Sequence, residues 1–153
     1  MNFSLDNKII FYHGSSKPRN GRLQVNTAQQ FGLGIYLSTN KALVAEEFGD
    51  EVAEVKLSIV KPVYTGTNEW HAVQRLAIQK ADIDYGRKRG LKLHTDDTYH
   101  RYDKTNLSEF YEIPAQFISE AAKALGYDAI IDRDSEDYEN EICVLYESKL
   151  IYL

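Results

Sequence analysis

The sequence contains one cysteine, Cys143, so the chain cannot form an internal disulfide. This sparing use of cysteine favours a reducing compartment, and we expect a cytoplasmic protein, acting in its own cell or in the cytoplasm of a target cell. Residues 1–8 lack a basic segment followed by a long apolar run, and no apolar stretch is long enough to span a bilayer. We therefore expect a soluble chain with no membrane association and no export signal.

Basic residues are also in the minority, because 18 lysines and arginines face 23 aspartates and glutamates and leave a net charge of -5. This balance argues against a general nucleic-acid binder, which needs many phosphate contacts. A local exception is the stretch 87–104, where basic and aromatic residues alternate as they do in proteins that hold single-stranded nucleic acid. The polar face of a helix end and loop is the commoner origin of such a run. Its histidines, His94 and His100, lack metal-ligand spacing, so we predict no metal site.

The 153 residues suffice for one domain with a hydrophobic core, and 43% of them are apolar. Tyrosine is over-represented, with 11 copies against 6 phenylalanines. For most of these rings we expect packing in a strand-rich core. Some suit a partly open site for a flat ligand, because tyrosine combines an apolar ring with a polar tip.

Hydrophobic periodicity and turn residues predict the order of elements. Strands are predicted over residues 8–13, 34–38, 51–63, 127–131 and 141–145, with an edge strand at 149–153. Helices are predicted over 41–48, between the N-cap Asn40 and the terminator Gly49, over 68–89, and from Pro114 to Gly126. Residues 91–111 predict no regular element, and 132–140 predict an acidic loop. Strands at both ends with helices between them predict an α+β domain with mixed, mostly antiparallel sheets.

Three polar residues interrupt apolar strands: His13 closes KIIFYH, Tyr36 lies within GIYLS, and Glu141 opens EICVL. Each alone is explained by core packing or a solvated strand end, although a carboxylate leading into a buried strand is costly if unpaired. Together the ordered motifs YHGS (12–15), GLGIY (32–36) and NEICV (140–144) resemble the ADP-ribosyltransferase superfamily. The match is to the branch of diphtheria-toxin-like enzymes and poly(ADP-ribose) polymerases, which has a His-Tyr-Glu triad.

The resemblance implies one ADP-ribosyltransferase-like catalytic domain over residues 1–153, built from two split sheets with helices inserted between the strands. It implies transfer of a single ADP-ribose from the co-substrate NAD⁺ to a macromolecule, most often a protein, without a metal. Glu141 would stabilise the oxocarbenium-like transition state and help orient the acceptor. His13 would hold the ribose of the adenosine half, and Tyr36 would stack on nicotinamide.

The resemblance also implies a wider donor site, in which the backbone of Gly14 approaches the nicotinamide carboxamide. Phe48 matches the second aromatic of the family, but it follows Tyr36 by twelve residues, one more than usual. Polymerase-type members carry a serine on the short helix where this chain has LVAE (43–46), so Ser38 and Thr39 are the nearest hydroxyls. The predicted NAD⁺-binding set is His13, Gly14, Ser15, Arg19, Arg22, Gly34, Tyr36, Ser38 and Phe48.

Charged segments flank the predicted site. Lys17, Arg19 and Arg22 form a basic turn after the histidine strand, which suits a pyrophosphate as well as it suits plain solvation, and the two arginines are the better phosphate ligands. The acidic loop 132–140 occupies the position of the family's target loop and would favour a basic target, with Tyr138 and Glu139 as recognition residues. For Asp134, Glu136 and Asp137 a solvated acidic turn is the better explanation.

Other functions remain open. The chain could be an NAD⁺ glycohydrolase with water as acceptor, or a transferase directed at nucleic acid through residues 87–104. It could also be a catalytically inactive module that binds NAD⁺ or a protein. If it is a toxin or an effector, we expect a cognate inhibitor or antitoxin among its partners.

Overall fold

The computed structural model describes residues 8–15, 22–25, 27–84, 99–103, 110–133 and 141–153. The helices in these ranges are α1 (Lys41–Phe48), α2 (Asn68–Asp84) and α3 (Ala115–Ala124), and a short 3-10 turn covers Glu147–Lys149. The strands are β1 (Phe11–Ser15), β2 (Thr27–Gln29), β3 (Gly32–Leu37), β4 (Glu51–Leu57), β5 (Pro62–Tyr64), β6 (Tyr99–Asp103), β7 (Phe110–Pro114), β8 (Ala129–Asp132), β9 (Glu141–Val144) and β10 (Leu150–Tyr152).

Two main sheets meet at one residue pair. The first sheet has the order β1-β4-β10 and is antiparallel, and the second has the order β2-β3-β9-β8-β5, in which only β5 and β8 run parallel. Among the described residues the sheets are joined by an isolated bridge between Tyr12 and Ser38. The amide of Tyr12 donates to the carbonyl of Ser38 at 2.8 Å, and the amide of Ser38 donates back at 3.2 Å. The predicted α+β class with mixed, mostly antiparallel sheets is confirmed.

The second sheet separates two hydrophobic cores, because side chains alternate along its strands. On one face, Ile35 and Leu37 pack with Phe11 of the first sheet and so fill the space between the two sheets. On the other face, Tyr36 packs with Phe117 of α3 and with residues of α2. Burying a side chain such as Phe117 is worth about 1.5–3 kcal/mol, so both faces contribute to holding the sheet in place.

Helix α1 begins and ends where the sequence predicts. The side chain of Asn40 accepts a hydrogen bond from the amide of Leu43 at 3.1 Å, and Gly49, with φ of 122°, donates its amide to the carbonyl of Ala45 at 3.1 Å. One such N-cap is worth about 1 kcal/mol. The caps confine the helix to eight residues, and it packs directly on β1.

The predicted strand over 51–63 is two strands in different sheets. β4 ends at Leu57 in the first sheet, and β5 begins at Pro62 in the second. The buried carboxylate of Asp128 accepts hydrogen bonds from the amides of Val60 at 2.8 Å and Lys61 at 3.0 Å. This side chain stabilises the turn at which the chain changes sheets, and alternation along 51–63 carries no signal for it.

Other boundaries are also corrected. Gly14 and Ser15 continue β1 instead of ending it, since both pair with β4. Part of 91–111 is regular, because β6 and β7 pair in antiparallel fashion, and cross-strand pairing of this kind is not visible in a weak local pattern. Pro114 closes β7, so α3 begins one residue later. The short strand β2 was not predicted, and α2 is described as far as Asp84, so the predicted continuation to Arg89 lies outside the described residues.

Across the ranges that the structure describes, none of the helices combines the length and the apolar character needed to cross a membrane.

Candidate active site

The three predicted catalytic residues lie on three strands that are brought side by side. His13 is on β1, Tyr36 on β3, and Glu141 is the first residue of β9. The β3–β9 register pairs Leu37 with Ile142, so its continuation by one residue sets Ser38 beside Glu141. Ser38 is bridged to Tyr12, the neighbour of His13. With about 4.8 Å between strands, the backbones of β1 and β9 lie roughly 10 Å apart at this level.

The three side chains do not share one face. Glu141 lies two residues from Cys143, and its partner strand carries Tyr36 opposite Cys143, so Glu141 and Tyr36 are on the helix-covered face. His13 lies two residues from Phe11, whose ring fills the core between the sheets, and Nδ1 of His13 is buried. By alternation the side chain of His13 is therefore on the same face of β1 as Phe11, toward the core between the sheets and not toward the face that carries Glu141 and Tyr36.

The pKa of the Cys143 thiol is set by groups on the same face of the sheet. Burial raises the pKa of Cys143 to about 12, a hydrogen bond with Tyr36 opposes this rise, and the charge of Glu141 adds to it. The thiol is thus neutral at physiological pH. The pKa of Cys143 thus depends on both Tyr36 and Glu141, which agrees with the alternation that sets all three side chains on one face.

β1 and β3 are joined at Tyr12 and Ser38, and within the described residues no further ladder pair links these two strands. One edge of β3 pairs with β2 over residues 32–34 and with β1 at Ser38. Tyr36 lies on this edge between the two pairings. Because the amide and carbonyl of Tyr12 bond to Ser38, alternation directs the peptide groups of Gly14 toward the same side. The same alternation from Ser38 directs the peptide groups of Tyr36 toward β1, on the stretch beyond the bridge.

Gly14 also has a packing role. A Cβ at this position would lie 2.8 Å from Cγ1 of Val44, 2.8 Å from the carbonyl oxygen of Val44 and 3.0 Å from Cβ of Phe48. A side chain at Gly14 would therefore push helix α1 away from β1. The same contact sets Phe48 beside Gly14, and the Phe48 side chain is 41% exposed. The predicted second aromatic thus lies next to the predicted carboxamide-binding glycine.

Tyr36 and Gly34 are both part of the packed sheet. Tyr36 is 9% exposed, and its hydroxyl donates to the carbonyl of Gly32 at 2.6 Å and accepts from the amide of Phe31 at 3.2 Å. A Cβ at Gly34 would overlap with Sγ of Cys143. Both residues are therefore explained by packing alone, and stacking of nicotinamide on Tyr36 would require contact at the edge of the ring or a shift of it.

Two predicted hydroxyls differ in their surroundings. Ser38 is 2% exposed, and its Oγ accepts a hydrogen bond from the amide of Asn40 at 3.1 Å, so it closes the turn from β3 into α1. Ser15 is half-buried at the end of β1, opposite Glu51 of β4. Neither serine lies on α1, so neither replaces the helix serine of polymerase-type members.

Arg22 is engaged with the C-terminal segment. Its Nε contacts Oε1 of Glu147, and Tyr152 donates its hydroxyl to the same oxygen at 2.9 Å while accepting from the amide of Leu23 at 2.8 Å. The hydrogen bond with Glu147 raises the pKa of Arg22 and lowers the pKa of Glu147. A pyrophosphate would have to compete with this carboxylate for Arg22. The other predicted residues Arg19, Tyr138 and Glu139 lie outside the described residues.

The structure adds one carboxylate that sequence reasoning missed. Asp132, assigned to the acidic loop, is the last residue of β8, and it is paired directly with Glu141 of β9. Gln30 donates from Nε2 to Oδ2 of Asp132 at 3.0 Å, and Thr65 donates its hydroxyl to Oδ1 at 3.5 Å. The available signal was its position directly after the apolar run AII. Within the described ranges there is no group of three or more His, Cys, Asp or Glu residues arranged to hold a metal ion.

Comparison with known proteins yields a likeness of fold. No protein-family model matches the chain, and no curated protein matches its sequence. A solved structure described as the crystal structure of an anti-CRISPR protein superposes with a TM-score of 0.50, covering 94% of this chain and 94% of that one at 14% sequence identity. At this level of identity the comparison concerns the fold alone.

Proposed function

We propose that the chain is a mono-ADP-ribosyltransferase that uses NAD⁺ as donor and a macromolecule, most readily a protein, as acceptor in the cytoplasm. The observation that carries the proposal is the junction of the two sheets. There Tyr12 is bridged to Ser38, and Ser38 is next in register to Glu141. Motifs that are far apart in the sequence therefore end on neighbouring strands, and this proximity supports the proposal.

The chemistry assigned to Glu141 follows from the charge that develops on the donor. When the bond between nicotinamide and ribose breaks, nicotinamide leaves with the electron pair and C1′ of the ribose gains positive charge. A carboxylate fixed beside the ribose stabilises this cation, and loss of such a group costs about 10²–10³ in rate. Glu141 is half-buried at the start of β9, which combines a fixed backbone with access from solvent.

The donor would bind between β1 and β3, beyond the Tyr12–Ser38 bridge. The peptide groups of Gly14 suit the nicotinamide carboxamide, since they supply both an N–H donor and a C=O acceptor on the side of β1 that faces β3. Phe48, exposed beside Gly14, would cover the ring, and stacking of this kind is worth about 1–3 kcal/mol. His13, in the neighbouring sheet, would hydrogen-bond to the ribose of the adenosine half, and Tyr36 would border the nicotinamide at its edge.

The direct test is a donor-cleavage and transfer assay. The purified protein is incubated with labelled NAD⁺ and a whole-cell lysate, and both nicotinamide release and label incorporation are followed. We expect label in a band that resists nuclease and is lost on protease treatment. The reverse sensitivity would identify a nucleic-acid acceptor, and nicotinamide release without incorporation would identify a glycohydrolase. Binding of NAD⁺ without either product would reject the enzyme.

A second candidate function, inhibition of a protein by contact alone, is favoured by the internal hydrogen bonds of Tyr36, which hold the predicted stacking ring inside the core. The fold neighbour is an anti-CRISPR protein, so a CRISPR interference complex is one target to test. Inhibition of such a purified complex without NAD⁺, and equally by the Glu141→Gln variant, would support contact. Inhibition that needs both NAD⁺ and Glu141 would support the transferase.

A further inference from the structure

We propose that Asp132 is the acceptor-side carboxylate of this site, accepting a hydrogen bond from the attacking group and then its proton. The assignment rests on the proposed transferase function and extends it. It divides the work between two side chains, because Glu141 acts on the bond that breaks and Asp132 acts on the bond that forms.

The first support is the pairing of the two residues. Asp132 and Glu141 stand directly opposite each other on β8 and β9, and the side chains of a directly opposed pair point to the same face, with Cβ atoms about 4.5–5.5 Å apart. Two residues further into each strand, Ile130 and Cys143 both belong to the core beneath the helices, which fixes the face. The two carboxylates therefore lie on one face at the same edge of the sheet, as a division of work at one ribose requires.

The second support is the way in which Asp132 is held. Gln30, from the turn that precedes β3, donates to one carboxylate oxygen at 3.0 Å, and the buried Thr65 donates to the other at 3.5 Å. The hydroxyl of Thr65 also accepts from the amide of Arg133 at 2.9 Å. Asp132 is thus oriented from two elements outside its own strand while remaining half-buried. A carboxylate has about four acceptor sites, so protein donors can orient one that also contacts a ligand.

The third support is position along the chain. Asp132 opens the segment 132–140, which contains five acidic residues in the sequence and leads directly to Glu141. Asp132 is the acidic residue of this segment that lies on β8, directly opposite Glu141.

The transfer balances with these two groups. The bond between C1′ and the nicotinamide nitrogen breaks, and its electron pair leaves with nicotinamide. A lone pair on the acceptor nitrogen or oxygen forms the new bond to C1′, and the proton of that N–H or O–H passes to the carboxylate of Asp132 and then to water. The acceptor class is therefore an N–H or O–H group that loses a proton on substitution. Water needs less positioning, because it is present at every approach to the cation.

The test compares, between wild type and variants, how much ADP-ribose is transferred to protein and how much is released by hydrolysis. Wild type, Asp132→Asn and Glu141→Gln are incubated with labelled NAD⁺, with and without whole-cell lysate, and label incorporated into protein is divided by nicotinamide released. For Asp132→Asn we expect this ratio to fall by about 10²-fold, the scale of a lost general base. For Glu141→Gln we expect nicotinamide release itself to fall. Thr65→Val, which leaves the carboxylate but removes one group that orients it, should lower the ratio by a smaller factor.

The outcomes are distinguishable. If wild type releases no nicotinamide, the proposed transferase falls, and the role of Asp132 falls with it. If wild type transfers label and Asp132→Asn keeps the ratio, only the role of Asp132 is overturned. A parallel loss of release and transfer in Asp132→Asn, together with a lowered Tm, would assign this residue to folding instead. Partial recovery of the ratio by Asp132→Glu at unchanged Tm would support the assignment.

Discussion

The hydroxyl of Tyr36 donates a hydrogen bond to the carbonyl of Gly32, four residues earlier in the chain, and accepts one from the amide of Phe31. The turn before β3 therefore folds back over the helix-covered face of the sheet. Gly32 permits this with φ of 92°, and a Cβ there would press on the carbonyl oxygen of Ala115 and on Ser119 of α3. The phenol oxygen thus joins the predicted site to the packing of α3.

Removing the Tyr36 hydroxyl should lower the stability of the fold. In Tyr36→Phe the ring remains, but the amide of Phe31 and the carbonyl of Gly32 lose their partner in a buried setting. We expect the free energy of unfolding to fall by about 1–3 kcal/mol, measured by urea denaturation. Tyr152→Phe, at a half-buried hydroxyl that also bonds to the backbone, is the matched control and should cost less. An unchanged unfolding midpoint for Tyr36→Phe would contradict the inward-bonded ring.

The contact between α1 and β1 predicts a steric effect at Gly14. In Gly14→Ala the new methyl meets backbone and side-chain atoms of Val44 at 2.8 Å, so the helix must shift. Overpacking of this kind typically costs about 1–3 kcal/mol, and displacement of Phe48 should also weaken NAD⁺ binding. Thermal unfolding and calorimetric titration with NAD⁺ measure the two effects. Gly66→Ala is an informative control, because φ at Gly66 is +79° but a Cβ there meets nothing within 4 Å, so it reports backbone strain without a clash.

Two site substitutions separate binding from turnover. Glu141→Gln should reduce nicotinamide release by about 10²–10³-fold, since it removes the charge that stabilises the transition state, while the Kd for NAD⁺ stays nearly constant. His13→Ala should instead raise the Kd, because it removes a proposed contact with the adenosine half. The measurements are nicotinamide release under saturating NAD⁺ and calorimetric titration. Wild-type behaviour of both variants would reject the two assignments together.

Local signals in the sequence were sufficient for some of these features. Asn40 and Gly49 bound α1 through their own backbone and side-chain preferences, so both ends of the helix were predictable. The strands around Tyr36 and Glu141 were also predictable from local sequence, because each is a short apolar run. The sequence could not predict that Asp132 lies opposite Glu141, because cross-strand register depends on two segments separated by a loop. It could not predict the engagement of Arg22 by Glu147 either, since these residues are 125 positions apart.

The turn between the two sheets depends on one buried carboxylate, and its loss should be costly. Asp128 accepts from the amides of Val60 and Lys61 and pairs with Lys149 at 3.5 Å. In Asp128→Ala two amides lose an anionic acceptor, and we expect a loss of about 2–4 kcal/mol, using about 1.5–3 kcal/mol for a hydrogen bond to a charged group. Asp128→Asn keeps one carbonyl acceptor and should lose less. Chemical denaturation measures both, and equal stability of Asp128→Ala and wild type would remove this explanation for the split of residues 51–63.

The buried thiol of Cys143 predicts how stability depends on pH in the alkaline range. Burial raises its pKa from 9.0 to about 12 in the folded protein, so above pH 9 the unfolded chain releases this proton more readily than the folded one. The contribution is therefore intact below pH 9 and is lost as the pH rises toward 12, with a slope of up to about 1.4 kcal/mol per pH unit. Other groups also titrate there, so the measured quantity is the difference between wild type and Cys143→Ala in urea denaturation at several pH values. The cavity left by the smaller side chain lowers stability by a constant amount, whereas the thiol changes the slope. We expect the stability of wild type to fall more steeply with pH than that of Cys143→Ala, and parallel curves would show that this thiol ionises equally in both states.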